Sequence, residues 1–228
     1  MVYTSGSTGM PKGVLISHGA LAVHCHTIID QYALQPKDKV LQFASHAVDT
    51  ALEQILPTLM AGGRLVMRDD VLWSPDELYH TLQHHQITVA DLPPSYLRET
   101  LLAWRDNPAM TTSVALRLCL LGGEILPPDI IPLWSASCLA DARLINAYGP
   151  TEATITALTY AVNPAADTGA VPIGRPLPGG QAYILDADGN LMPEGVIGEL
   201  CLGGERLALG YHDRPELTQE RFRECPLT

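Results

Sequence analysis

The sequence predicts an α/β fold, with a mostly parallel sheet flanked by helices followed by a small β-rich subdomain. Three observations predict this class. Short apolar runs typical of buried strands alternate with helix-like segments over the first two thirds of the chain. Beyond residue 161, glycine and proline become dense and helical periodicity stops. The 228 residues are 46% hydrophobic and 17% charged, a composition that supports a sizeable globular core.

The elements of the first half follow one another between glycine and proline breaks. Residues 19–34 carry apolar side chains at helical spacing, and residues 39–44 form a short apolar run typical of a strand. Residues 49–60 are helix-like and end before a pair of glycines, after which Arg64–Met67 favours a second strand. This alternation is expected when helices cross over between parallel strands.

The clearest helix start in the sequence lies at Ser74. Ser74 is expected to be the N-cap, Pro75 to occupy the first helical position, and Glu77 to complete a capping box. We expect this helix to run to about His85. Three further apolar strands, with helices between them, are predicted at residues 87–92, 116–121 and 143–148.

The region after residue 161 favours antiparallel strands. Residues 181–186 and 198–204 are strand-like and are separated by a turn that contains Asp188 and Gly189. A last short helix is expected near Pro215. We therefore expect two parts, an α/β part over residues 1–161 and a β-rich part over residues 162–228.

Charge and cysteine usage exclude several classes of protein. The formal net charge of −11 argues against a nucleic-acid-binding surface, which needs a basic field. The five cysteines are odd in number and form no CxxC pair, so neither a disulfide framework nor a structural zinc site is indicated. No apolar run is long enough to span a membrane, and the first residues do not form a signal peptide. We expect a cytoplasmic protein.

The strongest local motif is YTSGSTGMPKGV, at residues 3–14. Its glycines let backbone N–H groups converge on one point, its hydroxyls add donors, and its lysine adds positive charge, which together predict a phosphate-binding loop. It differs from a Walker P-loop because Gly13 follows the lysine where Ser or Thr would bind magnesium. The alternative is a flexible Ser/Gly linker. The candidate phosphate ligands are Thr4, Ser5, Gly6, Ser7, Thr8, Gly9 and Lys12.

Two further motifs follow in order, NAYGPTE at residues 146–152 and GELCLGGERLALGY at residues 198–211. Together with the glycine-rich loop they resemble three core motifs of the acyl-adenylate-forming, AMP-binding superfamily, and the chain most resembles an adenylation domain of a nonribosomal peptide synthetase. The resemblance covers essentially the whole chain. It also implies an internal part of a larger domain, without the later ribose-binding motif and the mobile C-terminal lid with its lysine. We expect this part to be inactive alone.

The resemblance implies roles for the matched residues in a reaction between a carboxylate and Mg-ATP. Tyr148 would stack on adenine with Asn146 near its amino group, and Thr151 would lie at the α-phosphate. Glu152 would bind magnesium, so the catalytic candidates are Thr4, Lys12, Thr151 and Glu152. Further nucleotide-binding candidates are Gly122, Gly123, Glu124, Ala147 and Gly149. The alternatives are that Tyr-Gly-Pro is only a turn after a strand, and that residues 120–124 form a simple tight turn.

The resemblance places Asp49 where the peptide-synthetase branch pairs an aspartate with the substrate's α-ammonium group; the alternative is an N-cap for the following helix. The pocket positions carried over are Asp49, Thr50, Glu53, Asp91, Cys119, Leu121, Ala147, Ile155 and Thr156. Two buried acids, Glu53 and Asp91, without a base would favour a basic substrate side chain, such as Lys, Arg or Orn. The alternative is a one-residue shift in alignment that turns one acid toward solvent.

The resemblance implies ATP and magnesium as cofactors, and a peptidyl carrier domain whose phosphopantetheine thiol receives the aminoacyl group. Condensation and other modules would lie in the same parent chain. The alternative functions are an acyl- or aryl-CoA ligase of the same superfamily, and a non-catalytic nucleotide-binding remnant. The histidines carry little weight, since His80 and His84 lack a third metal ligand, and His24 and His26 lie on different faces of one helix.

Overall fold

A computed structural model describes residues 1–4 and 11–224. Its strands are β1 (Val2–Thr4), β2 (Lys12–Leu15), β3 (Lys39–Gln42), β4 (Arg64–Met67), β5 (Val89–Leu92), β6 (Leu118–Gly122), β7 (Arg143–Tyr148), β8 (Leu158–Ala161), β9 (Arg175–Pro176), β10 (Gly180–Leu185), β11 (Glu199–Gly204) and β12 (Gly210–Tyr211). Its α-helices are α1 (His18–Gln31), α2 (Thr50–Met60), α3 (Pro75–His85), α4 (Pro94–Arg105), α5 (Ile130–Ser135) and α6 (Pro215–Arg221). Short 3-10 helices occupy Pro108–Thr111 and Thr151–Ala153.

Within the described residues, the main sheet has seven strands in the order β4-β3-β5-β6-β7-β8-β9. The pairs from β4 to β7 are parallel, and β8 and β9 add antiparallel strands at one edge. The predicted fold class is therefore confirmed. The strands at Arg64–Met67 and Arg143–Tyr148 have the predicted bounds, since each is an apolar run between clear breaks.

Helices cover both faces of the sheet. Helices α3, α4 and α5 bury one face, in a core that includes Leu82, Leu101 and Trp134. Helix α1 buries the other face through Ile28 and Tyr32. Successive strand residues point to opposite faces, so neighbouring residues of one strand enter different cores.

The start of α3 confirms the predicted capping box. The backbone N–H of Glu77 donates to Ser74 Oγ over 3.3 Å, and Glu77 Oε2 accepts from the Ser74 backbone N–H over 2.7 Å. These two bonds satisfy polar groups that have no partner inside the helix.

Replacing Ser74 by Ala is expected to lower the free energy of unfolding of the parent domain by about 1 kcal/mol, because one cap donor loses its acceptor. Urea unfolding measures the change. The matched control is Ser74→Asp, which keeps an acceptor and is expected to retain most of the stability. Equal losses in both variants would show that the hydroxyl is not acting as a cap.

The region after residue 161 contributes to more than one sheet. Strands β10 and β11 form the predicted antiparallel pair, from Gly180 opposite Gly204 to Leu185 opposite Glu199. Strand β9 joins the edge of the main sheet, and β12 pairs with β2. The division into residues 1–161 and 162–228 stays a prediction. None of the helices in the described residues is long and apolar enough to cross a membrane.

Candidate functional site

Lys12, Glu152 and Tyr211 come together beside the glycine-rich motif. Lys12 Nζ lies 3.7 Å from Glu152 Oε1 and 4.6 Å from the centroid of the Tyr211 ring. The Tyr211 hydroxyl donates to the same Glu152 oxygen over 2.6 Å. Three segments distant in sequence thus hold a cation and a carboxylate at one point, as a site for a phosphate group and its metal ion would require.

The glycine-rich motif itself lies partly outside the described residues. Ser5, Gly6, Ser7, Thr8 and Gly9, predicted to bind phosphate, fall in that gap, and their role stays a prediction. The two ends of the gap are defined, because Thr4 on β1 pairs directly with Lys12 on β2. Lys12 therefore starts a strand with its ammonium group directed at Glu152.

The motif at residues 146–152 forms a tight loop after β7. A side chain at Gly149 would collide with the backbone carbonyl of Ile155, so only glycine fits there. Thr154 and Ile155 have positive φ angles of 59° and 68°, which is unusual for a β-branched residue and is found mainly at functional sites. The backbone of Gly149 packs against Ile155 more closely than a simple turn after a strand requires.

The predicted nucleotide residues differ in their surroundings. Tyr148 is 38% exposed, and its predicted stacking on adenine stays a prediction. Asn146 is only 3% exposed, and its side-chain N–H donates to the Pro172 carbonyl over 2.8 Å. The amide of Asn146 thus has a partner within the protein, and its predicted contact with adenine stays a prediction.

Glu124 stabilises the start of α4. Its carboxylate accepts from the backbone N–H and the hydroxyl of Ser95, each over 3.0 Å. Gly123 has a positive φ of 81°, and a Cβ at Gly122 would meet the Ala147 carbonyl. These contacts account for the turn structurally, and a direct role of the three residues at the nucleotide stays a prediction.

Asp49 lies at the start of α2, where its carboxyl interacts with Thr151, the neighbour of Glu152, and with Glu53. Asp49 occupies the N-cap position of α2, so its position supports the N-cap alternative, although its side chain makes no capping hydrogen bond to the second or third residue of the helix. Burial is the largest influence on the pKa of Asp49 and raises it, Glu53 raises it further, and a hydrogen bond with Thr151 opposes the shift. Thr50, the first residue of α2, is half-buried beside it.

Glu53 lies one helical turn beyond Asp49, and its carboxylate is fully engaged. Its Oε2 is 2.7 Å from Nε2 of His24, and its Oε1 accepts from the hydroxyls of Tyr32 and Thr156 over 3.1 and 3.2 Å. Glu53 is 6% exposed and His24 is fully buried. Tyr32 is equally enclosed, and burial together with Glu53 raises its pKa.

Asp91, at the third position of β5, lines the same small cavity as Glu53 and Tyr32. Among the described residues its carboxylate has one hydrogen-bond partner, Nε2 of Gln54 at 3.3 Å. Burial, reinforced by the charge of Glu53, raises the pKa of Asp91 to about 7. A carboxyl with so few donors is poorly compensated as an anion.

Cys119 and Leu121, two of the predicted pocket residues, lie on the face of β6 opposite to Leu120, and their place in the substrate pocket stays a prediction. Both are buried in the core against α3, α4 and α5, whereas the cavity beside Asp91 is lined by Leu120. Asp91 pairs with Leu120 across β5 and β6, and paired residues of adjacent strands share a face. Ala147, opposite Gly122 on β7, stays on the cavity side.

The structure corrects the premise that the two acids have no base nearby, because His24 contacts Glu53 directly. His24 lies four residues before the buried Ile28 on α1, so helical spacing already placed it on the buried face. Arg206 was missed as well. It is 3% exposed and donates to the carbonyls of Thr156 and Leu177, a position that no local pattern in the sequence indicates.

Asp91 gives the protein a pH-dependent stability. Its pKa rises from 3.8 to about 7 on folding, so between these values the folded protein binds a proton that the unfolded chain has released. The contribution of Asp91 to the free energy of unfolding is therefore most favourable below about pH 4. As the pH rises from about 4 to 7, the free energy of unfolding falls by at most about 1.4 kcal/mol per pH unit.

In Asp91→Asn, this loss of unfolding free energy between pH 4 and 7 is expected to disappear. Denaturant unfolding of the parent domain at several pH values measures it, with the exposed Asp30→Asn as control. Parallel pH curves for wild type and Asp91→Asn would contradict the raised pKa.

Similarity to known proteins identifies the family of this chain. The sequence profile of the AMP-binding enzyme family matches residues 1–212. The chain belongs to this family. Tyrocidine synthase 3 from Brevibacillus parabrevis is 38% identical over 230 residues, covering 99% of this chain and 4% of the relative. The chain thus spans only about 4% of the length of that curated relative.

Solved structures agree with this membership. An adenylation domain from Vibrio cholerae, AlmE, solved with glycyl-adenosine-5'-phosphate, is 31% identical with a TM-score of 0.86, covering 98% of this chain and 42% of that one. The N-terminal subdomain of Klebsiella oxytoca NpsA, solved with 3-hydroxyanthranilyl-AMSN, is 26% identical with a TM-score of 0.81, covering 97% and 53%. The resemblance to adenylation domains is confirmed.

Proposed function

We propose that this AMP-binding chain forms the nucleotide and substrate site of a domain that activates an amino acid as its aminoacyl adenylate. A carboxylate oxygen of the amino acid attacks the α-phosphorus of ATP, and the bond to pyrophosphate breaks. The observation that carries the proposal is the position of Asp49, whose carboxyl interacts both with Thr151, the neighbour of Glu152, and with Glu53.

The nucleotide end of the site supplies charge neutralisation. Lys12 would stabilise negative charge on the phosphates, and Thr151, which hydrogen bonds with Asp49, would lie where the two reactants meet. Glu152 fits magnesium because a carboxylate is a hard oxygen ligand, and Tyr211 and Lys12 hold it through one oxygen. Bound magnesium would offset charge on the leaving pyrophosphate. Such a site works through position and charge, without a covalent enzyme intermediate.

An amino acid suits Asp49 better than a fatty or aryl acid. Burial raises the pKa of Asp49, and a substrate ammonium group would offset the cost of keeping the carboxylate ionised. An acid without an α-amino group leaves Asp49 unpaired. This distinguishes the proposal from the acyl- or aryl-CoA ligase alternative.

A basic substrate side chain is a narrower proposal. Glu53 already has His24 as its partner, so the proposal rests on Asp91, which has no cationic partner among the described residues. A substrate ammonium or guanidinium group near Asp91 would compensate its charge and lower its pKa toward the usual range.

The test is amino-acid-dependent ATP–pyrophosphate exchange by the complete parent domain, across the twenty amino acids, ornithine and several fatty and aryl acids. Exchange with one or a few amino acids is expected, highest for Lys, Arg or Orn. Exchange only with acids that lack an α-amino group would favour the CoA-ligase alternative. ATP binding without any exchange would favour the nucleotide-binding remnant.

Transfer to a carrier domain is the second step that we propose. The thiol of a carrier-bound phosphopantetheine would attack the aminoacyl carbonyl carbon, and AMP would leave. Support comes from the similarity to tyrocidine synthase 3, and from an artificially fused adenylation–PCP di-domain of Klebsiella oxytoca that is 27% identical with a TM-score of 0.83. Loading of a separately expressed carrier domain with a radiolabelled amino acid tests it.

A further inference from the structure

Three side chains of the protein form hydrogen bonds with Glu53. His24 Nε2 contacts one oxygen, and the hydroxyls of Tyr32 and Thr156 contact the other. We assign the proton of this hydrogen bond to Nε2 of His24, because the two hydroxyls that contact Glu53 also donate to it. The two atoms are 2.7 Å apart.

Stability alone gives no reason for a histidine at this position. His24 is fully buried, and its Nδ1 has no hydrogen-bond partner in the part of the chain that the structure describes. A buried polar atom without a partner costs free energy, and such atoms are rare enough to require an explanation. Nε of Arg206, on the other side of Thr156, is also unpaired among the described residues.

Among the described residues, Glu53 has basic side chains close to it, whereas Asp91 does not. His24 on α1 contacts it, and Arg206, next to Thr156, is close enough for the two charges to interact. Asp91 on β5 and Asp49 on α2 are the acids that face it. The basic side chains therefore lie near Glu53, while Asp91 has, in the part of the chain that the structure describes, only the neutral amide of Gln54.

We propose that His24 is a specificity-determining positioning residue, which acts by occupying Glu53 so that the substrate side chain is bound by Asp91 alone. This rests on the proposed function, since it concerns how the same pocket selects its amino acid. His24 need not touch the substrate. It supplies the donor that Glu53 would otherwise take from a cationic side chain.

Removing the imidazole is expected to change selectivity in a definite direction. In His24→Leu, the new side chain is apolar and similar in size. It has no hydrogen-bond donor, so Glu53 Oε2 loses the partner that His24 provided. A cationic substrate side chain then gains a second carboxylate, whereas a neutral side chain gains nothing.

The experiment measures kcat/KM for ATP–pyrophosphate exchange in the complete parent domain, with ornithine and with norvaline, which has a neutral side chain of three carbons. The ratio of ornithine to norvaline is expected to rise about tenfold in His24→Leu. The ratio is expected to return to within about twofold of wild type in the double variant His24→Leu/Glu53→Gln, because glutamine has no carboxylate to bind the cationic side chain. An equal fall for both substrates in His24→Leu would show a merely structural role and overturn the inference.

Two further variants keep the inference testable if His24→Leu does not fold, which thermal unfolding detects. Glu53→Gln alone is expected to leave the ratio near that of wild type, and Asp91→Asn to lower it about tenfold or more. If Glu53→Gln lowers the ratio as much as Asp91→Asn, Glu53 binds the substrate directly and the inference fails. Absence of exchange with every amino acid in the wild-type domain would instead overturn the proposed function.

Discussion

Replacing Lys12 by Ala in the complete parent domain is expected to lower kcat/KM for ATP–pyrophosphate exchange about 10²- to 10³-fold. Lys12 is the cation nearest to Glu152 in the described residues, and charge on the pentavalent α-phosphate and the departing pyrophosphate increases in the transition state. An interaction that is stronger in the transition state than in the ground state contributes to kcat as well as to KM. Stopped exchange reactions at saturating amino acid, with ATP varied, measure both constants.

The matched control is Lys37→Ala, since Lys37 is exposed in the turn between α1 and β3. It is expected to change kcat/KM by less than about twofold. Thermal unfolding of both variants shows whether loss of the Lys12–Glu152 pair affects folding, and a half-exposed pair of this kind stabilises by at most about 1 kcal/mol. Undiminished exchange in Lys12→Ala would remove this residue from the phosphate site.

Replacing Asp49 by Ala is expected to abolish the preference for amino acids, lowering kcat/KM for the best amino acid about 10²-fold or more. Asp49 is half-buried, and in the variant the substrate ammonium group would lose its carboxylate partner, which costs several kcal/mol when the bound substrate covers the pair. The effect is expected in KM for the amino acid as well as in kcat, with little change in KM for ATP. Exchange kinetics with the amino acid varied measure it.

The control substrate is the matching acid without its α-amino group, and the control variant is the exposed Asp30→Ala on α1. Because removal of Asp49 also removes the cost of an unpaired carboxylate, the acid is expected to be used better by Asp49→Ala than by the wild-type domain. If Asp49→Ala lowers exchange with both substrates alike, Asp49 acts on the structure of the loop at Thr151 instead of on the ammonium group.

Much of the fold follows from local patterns in the sequence. The helix that begins at Pro75 has its start specified by Ser74 and Glu77, which interact within one turn. The strand at Arg143–Tyr148 is a continuous apolar run, as expected for a parallel strand buried on both faces. These elements could be predicted because the interactions that define them are short in range.

The face of each strand could not be predicted in the same way. Cys119 and Leu120 are both apolar and adjacent, so the run itself does not show which one faces the cavity. Only the pairing of Asp91 with Leu120 across β5 and β6 decides it. A displacement of one residue moves a side chain to the opposite side of the sheet, so the predicted places of Cys119 and Leu121 in the pocket depend on the register of β6.

The sequence by itself determined the α/β class, the three ordered motifs and membership of the AMP-binding family, because these depend on residue order and local spacing. The tertiary structure decided which groups share the pocket. His24, Glu53 and Thr156 lie far apart along the chain, and their hydrogen bonds exist only once α1, α2 and the loop after β7 are packed together. Whether Glu53 is free for a substrate depends on those bonds, since a buried carboxylate is defined chemically by the donors around it.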